Sequence, residues 1–389
     1  MENITENKVR RKPKIALWFA ICPAAHTVAL LSALIIALHL ALRRDHALMV
    51  RISENIVHPV HTALARLNSH VGFSVAELLI VITAAAVLAR LIYALVCFLR
   101  GKGSLLRAYR LVMGLAALAL AVYAGFSLLW GVYYYGDDFM AKSGLDSSPV
   151  TAEQLETVTE YFARLANRYG DEVERDETGL YTCDKELILA RSPGLFDNTV
   201  GDFPCLSGPR VAAKGVLFSR GMSYIDFTGF FFPFTGEANV NMDFPPSLFA
   251  ATVAHELSHQ RGVAKEQEAN FVAVLASLRS GDADFRYSAA VLAYVHLGNA
   301  LRSADRAAWE RIYDLLNDTV KRDLALNNAY WRQFETPVQS VSNTVYEGFL
   351  HSYDQTLGLK SYGACVDLLV NYYYDAAAEA LMGGGNTGE

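Results

Sequence analysis

The apolar residues of this chain are concentrated in three long runs, about Ile15 to Leu42, Val75 to Leu99 and Leu111 to Tyr135. Glu77 and Arg90 are the only charged side chains within them. Each run is long enough to cross a bilayer as a helix, which takes ~20 residues. The first is too long for a secretory signal, holds Pro23, and lacks a small-x-small cleavage pattern at its end. Arg90 lies close enough to the basic end of the second run for its side chain to reach toward lipid headgroups. The third run ends in GVYYY, an aromatic cluster suited to a membrane interface.

Between and after these runs the pattern changes. Residues 46–70 are amphipathic and divided by Pro59. They read as short helices near the outer interface, with His58, His61 and His70 on a polar face. The stretch GLDSSP, from Gly144 to Pro149, reads as a junction. Behind a Thr151 cap, Leu155, Val158, Tyr161, Phe162 and Leu165 recur at helical spacing. Residues 176–209 are rich in Gly, Pro and Asp and read as a surface segment or cleft rim. Residues 210–243 are aromatic, β-branched and broken by glycine, which predicts short strands. Helical spacing returns at Pro245, stops at Gly262, restarts near Ala264 and continues to about residue 381. The expected division is a membrane region over 1–140, with spans at about 15–42, 75–99 and 111–135, a second domain over 141–381, and a disordered tail over 382–389.

Charge orients the runs. Lys8, Arg10, Arg11, Lys12 and Lys14 precede the first. Arg100, Lys102, Arg107 and Arg110 separate the second from the third, without an acidic residue. The basic-inside bias puts the N-terminus and that second loop in the cytoplasm, and everything after about Gly136 outside; Arg43 and Arg44 count against it. The expected location is therefore the cytoplasmic membrane, multi-pass, with the second domain extracytoplasmic. With 34 basic and 40 acidic residues the net charge is -6, which excludes the basic surface of a nucleic-acid binder. The five cysteines are too few and scattered for a disulfide scaffold or a structural zinc module. Cys183 and Cys205 are the two that could pair in an oxidising compartment.

The chemistry concentrates in HELSH. His255 and His259 are one helical turn apart, so both imidazoles point the same way and can hold one zinc ion. Glu256 beside them is placed to take a proton from water and pass it to a leaving amine. Ala251, Thr252, Val253, Ala254 and Leu257 give this helix small or apolar surroundings. Gly262 permits a tight exit that returns the next helix over the metal. That helix offers Glu266, Glu268 and Asn270. Glu266 and Glu268 diverge by about 200° around a helix and cannot both face the ion. Glu266 and Asn270 share a face, so Glu266 is the expected third ligand and Asn270 orients a neighbouring ligand. Glu268 takes the ligand role if the helix starts late.

HExxH followed by a second helix with glutamate, and asparagine or aspartate four positions on, resembles the gluzincin class of zinc peptidases. EQEANFVAVL is similar to the E-x-E-A-N-x-F-A pattern of antirepressor-cleaving and immunity-associated metallopeptidases, with Phe271 one place early. Over nearly the whole chain, including YIDFTGFFFPFTGEANVNMDFPPSLFAATVAHELSHQRGVAKEQEANF, SNTVYEGFL and GLKSYGACVDLL, the sequence resembles an uncharacterised bacterial membrane-protein family. That family, of the domain-of-unknown-function 3810 type, has three N-terminal spans and a zincin-like domain. The resemblance implies a mainly α fold with a small β part, in which the three-helix transmembrane region precedes a zincin-like α+β metallopeptidase domain. Asn270 replaces the aspartate commonest in gluzincins, which lowers the basicity of a ligating histidine.

In zincins an edge strand beside the metal helix pairs with an extended peptide. FTGEANVN has the position for it, making Glu237, Ala238 and Asn239 candidate substrate contacts. Tyr346, His351 and Tyr362 are candidates to stabilise an oxyanion. His296 reads as a core histidine. The expected function is Zn2+-dependent hydrolysis of envelope or extracellular peptides or proteins at the membrane surface, with the lipid bilayer as the other partner and no nucleic acid. The alternative is an inactive zincin serving as an envelope sensor or assembly scaffold.

Overall fold

A computed structural model describes residues 21–146, 148–353 and 363–383 of the chain. Two compact units divide it: residues 1–44 with 78–128, and residues 45–77 with 129–389. In chain order come α1 (Pro23–Leu42), α2 (His46–Ile52), α3 (His58–Asn68), α4 (Val75–Leu99) and α5 (Leu105–Leu129), with a π turn, Ser53–Val57, joining α2 to α3. Three of these, α1, α4 and α5, are long and apolar enough to cross a membrane, with mean hydropathies of 2.1, 2.4 and 2.1. Their outward positions, among them Leu34, Leu88 and Val112, are exposed and apolar, the pattern of helices that face lipid. The part of the first run before Ile21 lies outside the described residues.

The second unit continues with α6 (Phe139–Ser143), α7 (Ala152–Gly170), α8 (Lys185–Arg191), β1 (Lys214–Val216), α9 (Ser219–Tyr224), β2 (Gly229–Phe232) and β3 (Glu237–Asn241). It then becomes helical: α10 (Phe249–Gln260), α11 (Glu266–Arg279), α12 (Ala283–Ala304), α13 (Arg306–Asp314), α14 (Asp318–Arg332), α15 (Pro337–Ser352) and α16 (Gly363–Gly383). The fold is thus mainly helical with one small sheet, as the periodicities predict. α7 begins at a capping box between Thr151 and Gln154 and buries Leu155, Val158, Phe162, Ala163 and Ala166. That face packs on α12 and α16. α10 and α11 form the centre, buried nearly all round because Ala, Val and Leu occupy every side of both helices.

The sheet has the order β1-β3-β2, with β3 parallel to β1 and antiparallel to β2. All five residues of β3 are buried. The FTGEANVN strand, expected at an edge, is therefore the middle strand. Its polar side chains hold the segment Ser74–Glu77 in place. Glu237 accepts hydrogen bonds from the Val75 and Ala76 amides and pairs with Lys214 at 2.6 Å. Ser74 donates to Asn239, and Glu77 accepts from the amides of Leu217 and Phe218.

Two further differences follow from packing that spacing does not report. α2, the π turn and α3 bury Met49, Val57, His61 and Ala65 in the second unit, so His61 is a core residue and not a polar-face one. Gly236 allows this approach: its φ is +68°, and a Cβ there would lie 2.6 Å from the His61 carbonyl oxygen. The third span begins and ends earlier than expected, at Leu129. GVYYY is a separate 3-10 turn, Gly131–Tyr135, with Gly131, Val132 and Tyr133 buried in the second unit. All five cysteines, Cys183 and Cys205 included, are free thiols.

Candidate metal centre

α10 carries His255, Glu256 and His259, and its end is what brings the next ligand within reach. The Gly262 amide bonds the His259 carbonyl and the Val263 amide bonds the Ser258 carbonyl, a Schellman closure. It requires a left-handed residue, and Gly262 has φ +85°. The chain reverses and α11 starts at Glu266, on top of α10.

His255, His259 and Glu266 converge so that one ligand atom from each lies within 4.8 Å of the others. Glu266 Oε2 is 3.1 Å from His255 Nε2 and 3.6 Å from His259 Nε2. The other ring nitrogens are occupied. His255 Nδ1 donates to Asn270 Oδ1 at 2.9 Å, and His259 Nδ1 donates to the Val263 carbonyl at 2.7 Å. Those bonds assign a proton to Nδ1 in both rings and leave both Nε2 atoms facing the Glu266 carboxylate. A donor set of two imidazoles and a carboxylate, with tautomers preset, suits a divalent ion such as zinc.

Glu268 is on the opposite face. It is buried and accepts a hydrogen bond from the Phe139 amide at 2.9 Å, at the start of α6. Burial pushes its carboxyl up to about 7. Glu266 and Asn270, four apart, share the side that faces His255.

Glu256 is buried beside the two histidines. It is 3% exposed, and its Oε2 has no hydrogen-bond partner among the described residues. Burial raises its carboxyl to about 7 against the opposing pull of His255 and His259. Burial disfavours a charge on His259, and the Glu266 carboxylate beside it outweighs that, lifting its pKa to about 9. Without a cation the cluster therefore retains a proton between ring and carboxylate. A cation held by these residues would displace it.

The wall around this centre is aromatic. Tyr346 of α15 donates to Glu266 Oε1 at 3.1 Å and packs edge-on against Phe227. The carboxylate of Glu266 and burial together raise its phenol well above the ordinary value. Trp130, the first residue after α5, packs edge-on on His259 with ring centroids 5.7 Å apart, and its indole N–H donates to Tyr134. His61 closes the cage behind it, against Trp130, Tyr133 and Phe231. Burial lowers its pKa to about 3, so it is neutral. His351 is exposed at the end of α15, and Tyr362 lies outside the described residues. Glu237, Ala238 and Asn239 belong to the middle strand, their polar groups engaged as above. His296 is a buried residue of α12.

Sequence reasoning missed Gly229. A Cβ at this β2 position would fall 2.6 Å from Glu256 Oε1 and 2.9 Å from the Asn239 carbonyl. Only glycine lets the strand pass so close to the carboxylate. Gly229→Ala is expected to displace Glu256 and lower any metal-dependent hydrolysis by about 10²-fold, since a misplacement of ~1 Å suffices for that. Bound metal, measured by elemental analysis, is expected to stay unchanged, because among the described residues no hydrogen bond, ion pair or ring contact joins either histidine or Glu266 to the strand. Trp130 and His61 were missed as well, having no local motif.

A family model described as a protein of unknown function (DUF3810) matches residues 53–370. No curated protein and no solved structure matches the chain.

Proposed function

The chain belongs to the DUF3810 family, and from its metal cluster we propose that it is a membrane-anchored, zinc-dependent peptidase of the gluzincin type. The observation that carries this reading is Glu256: a buried carboxylate with a free oxygen, next to three convergent ligands on the same pair of helices. A site built only to bind a metal has no use for it.

His255, His259 and Glu266 would hold the ion, and Asn270 would orient His255. Zinc, when bound, supplies a Lewis acid that acidifies water and polarises a peptide carbonyl. Glu256 takes the proton from the attacking water and returns it to the departing amine, a task for which its dry surroundings keep the carboxylate basic. The Tyr346 hydroxyl, free to leave Glu266 once a cation occupies the cluster, donates to the developing oxyanion. β2, whose outer edge carries no strand among the described residues, offers its backbone to an extended peptide beside α10. The three membrane-length helices support work by a membrane-anchored enzyme. The flanking charges favour an extracytoplasmic domain and hence envelope or extracellular substrates.

The test is chelation and reconstitution of the purified full chain in detergent, with a labelled protein digest as substrate. Cleavage that disappears on chelation and returns with stoichiometric zinc supports the reading. Zinc bound without cleavage would leave a sensor or scaffold. Tyr346→Phe separates the role of the phenol from the fold: kcat is expected to fall by about 10²-fold or more with KM little changed, as for loss of one oxyanion donor.

A further inference from the structure

In the first unit, Arg90, Tyr93 and Ala94 of α4 and Arg107, Arg110 and Leu111 of α5 line one cavity of about 370 Å³. Three guanidinium groups thus face a common space. The unit's described residues, 21–44 and 78–128, contain no Asp or Glu, so none of them supplies a counter-charge. The side chains of Arg90 and Arg107 have no hydrogen-bond or ion-pair partner among the described residues, and Arg110 bonds a single backbone carbonyl, that of Ile21, at 3.2 Å. Arg90 stands nine residues before the end of α4, roughly 14 Å along the axis, so its backbone is within the apolar span. A charge at that depth is costly unless it is paired or reaches the headgroup layer. Gly114 of α5 gives it a path: a Cβ there would meet Arg90 Nη1 at 3.4 Å, so the guanidinium passes against a helix surface without a side chain.

The missing partner has to be an anion with several acceptor oxygens, because planar guanidiniums engage such groups two bonds at a time. It also has to tolerate apolar neighbours. Around the cavity α4 exposes Leu91, Leu95 and Phe98. We infer that this cavity binds the phosphate of an anionic phospholipid, with acyl chains lying along α4. Basic pockets between membrane helices commonly hold such headgroups.

The full chain, purified in detergent, is titrated with phosphatidylglycerol, phosphatidylcholine or inorganic phosphate, and retained lipid is counted by native mass spectrometry. One phosphatidylglycerol per chain is expected to be kept in preference to phosphatidylcholine. Arg107→Gln/Arg110→Gln is expected to lower its retention by about tenfold or more, the scale of losing charged hydrogen bonds. Arg100→Gln/Lys102→Gln removes the same charge from the loop outside the cavity and is expected to change little. Equal loss in both variants, or full retention in the first, overturns the assignment. So does displacement of the lipid by millimolar inorganic phosphate, which would make the cavity a site for a soluble anion. If the first variant does not fold, the wild-type comparison decides: no preference for phosphatidylglycerol over phosphatidylcholine overturns the inference.

Discussion

Glu266→Ala is expected to abolish stoichiometric zinc binding, whereas Glu268→Ala is expected to leave it intact. The two carboxylates are two residues apart at the start of one helix, yet their surroundings oppose each other. Glu266 Oε2 lies within 3.1 and 3.6 Å of the two histidine Nε2 atoms. Glu268 is turned to the Phe139 amide and away from them. Removing Glu266 takes away one of three candidate ligands and, among the described residues, the only negative charge in direct contact with both rings. Removing Glu268 empties a buried position that caps α6, which costs stability of about 1–3 kcal/mol by stranding the Phe139 amide. Elemental analysis of both variants, with a thermal melt alongside, reads the two effects separately. Zinc loss in Glu268→Ala with retention in Glu266→Ala would reverse the ligand assignment.

Glu256→Gln is expected to keep zinc and lose hydrolysis by about 10²- to 10⁴-fold, the range attributed to a positioned general acid–base. The amide has the size and shape of the carboxylate, so Gly229 and the sheet still accommodate it. What disappears is an oxygen able to take a proton. The metal-free carboxyl is raised to about 7 by burial, with His255 and His259 pulling the other way. A bound cation adds to that pull and keeps Glu256 ionised. Rates at matched zinc content, measured on one peptide substrate, check this. An unchanged rate would assign proton transfer to another group.

How much of this could be read in advance depends on whether the information is local. The metal helix and its return were legible because each device spans a turn or two. The i, i+4 histidines share a face, Gly262 permits the left-handed closure, and Glu266 and Asn270 share a face of the following helix. The three apolar runs were legible for the same reason, although the GVYYY end of the third was assigned to lipid. Aromatic composition looks alike at a membrane interface and in a core cage, and only the contact of Trp130 with His259 distinguishes them. Strand order was not legible. β3 pairs with β1 across an intervening helix and with β2 across a short turn, so FTGEANVN became central although its composition suits an edge equally well. Gly229 and His61 act on residues about thirty positions away or more, where spacing carries no signal. Tyr346 reaches Glu266 from eighty residues downstream. The sequence offered Tyr346 as one of three candidates in the polar-aromatic segment near the C-terminus, without choosing among them.

The most direct measurement is the mass-spectrometric analysis of a defined peptide library incubated with the zinc-loaded full chain in lipid nanodiscs. New N-termini that appear with one zinc per chain, and disappear in Glu256→Gln at the same zinc content, are the result predicted here. An intact library at full zinc occupancy would contradict the peptidase assignment.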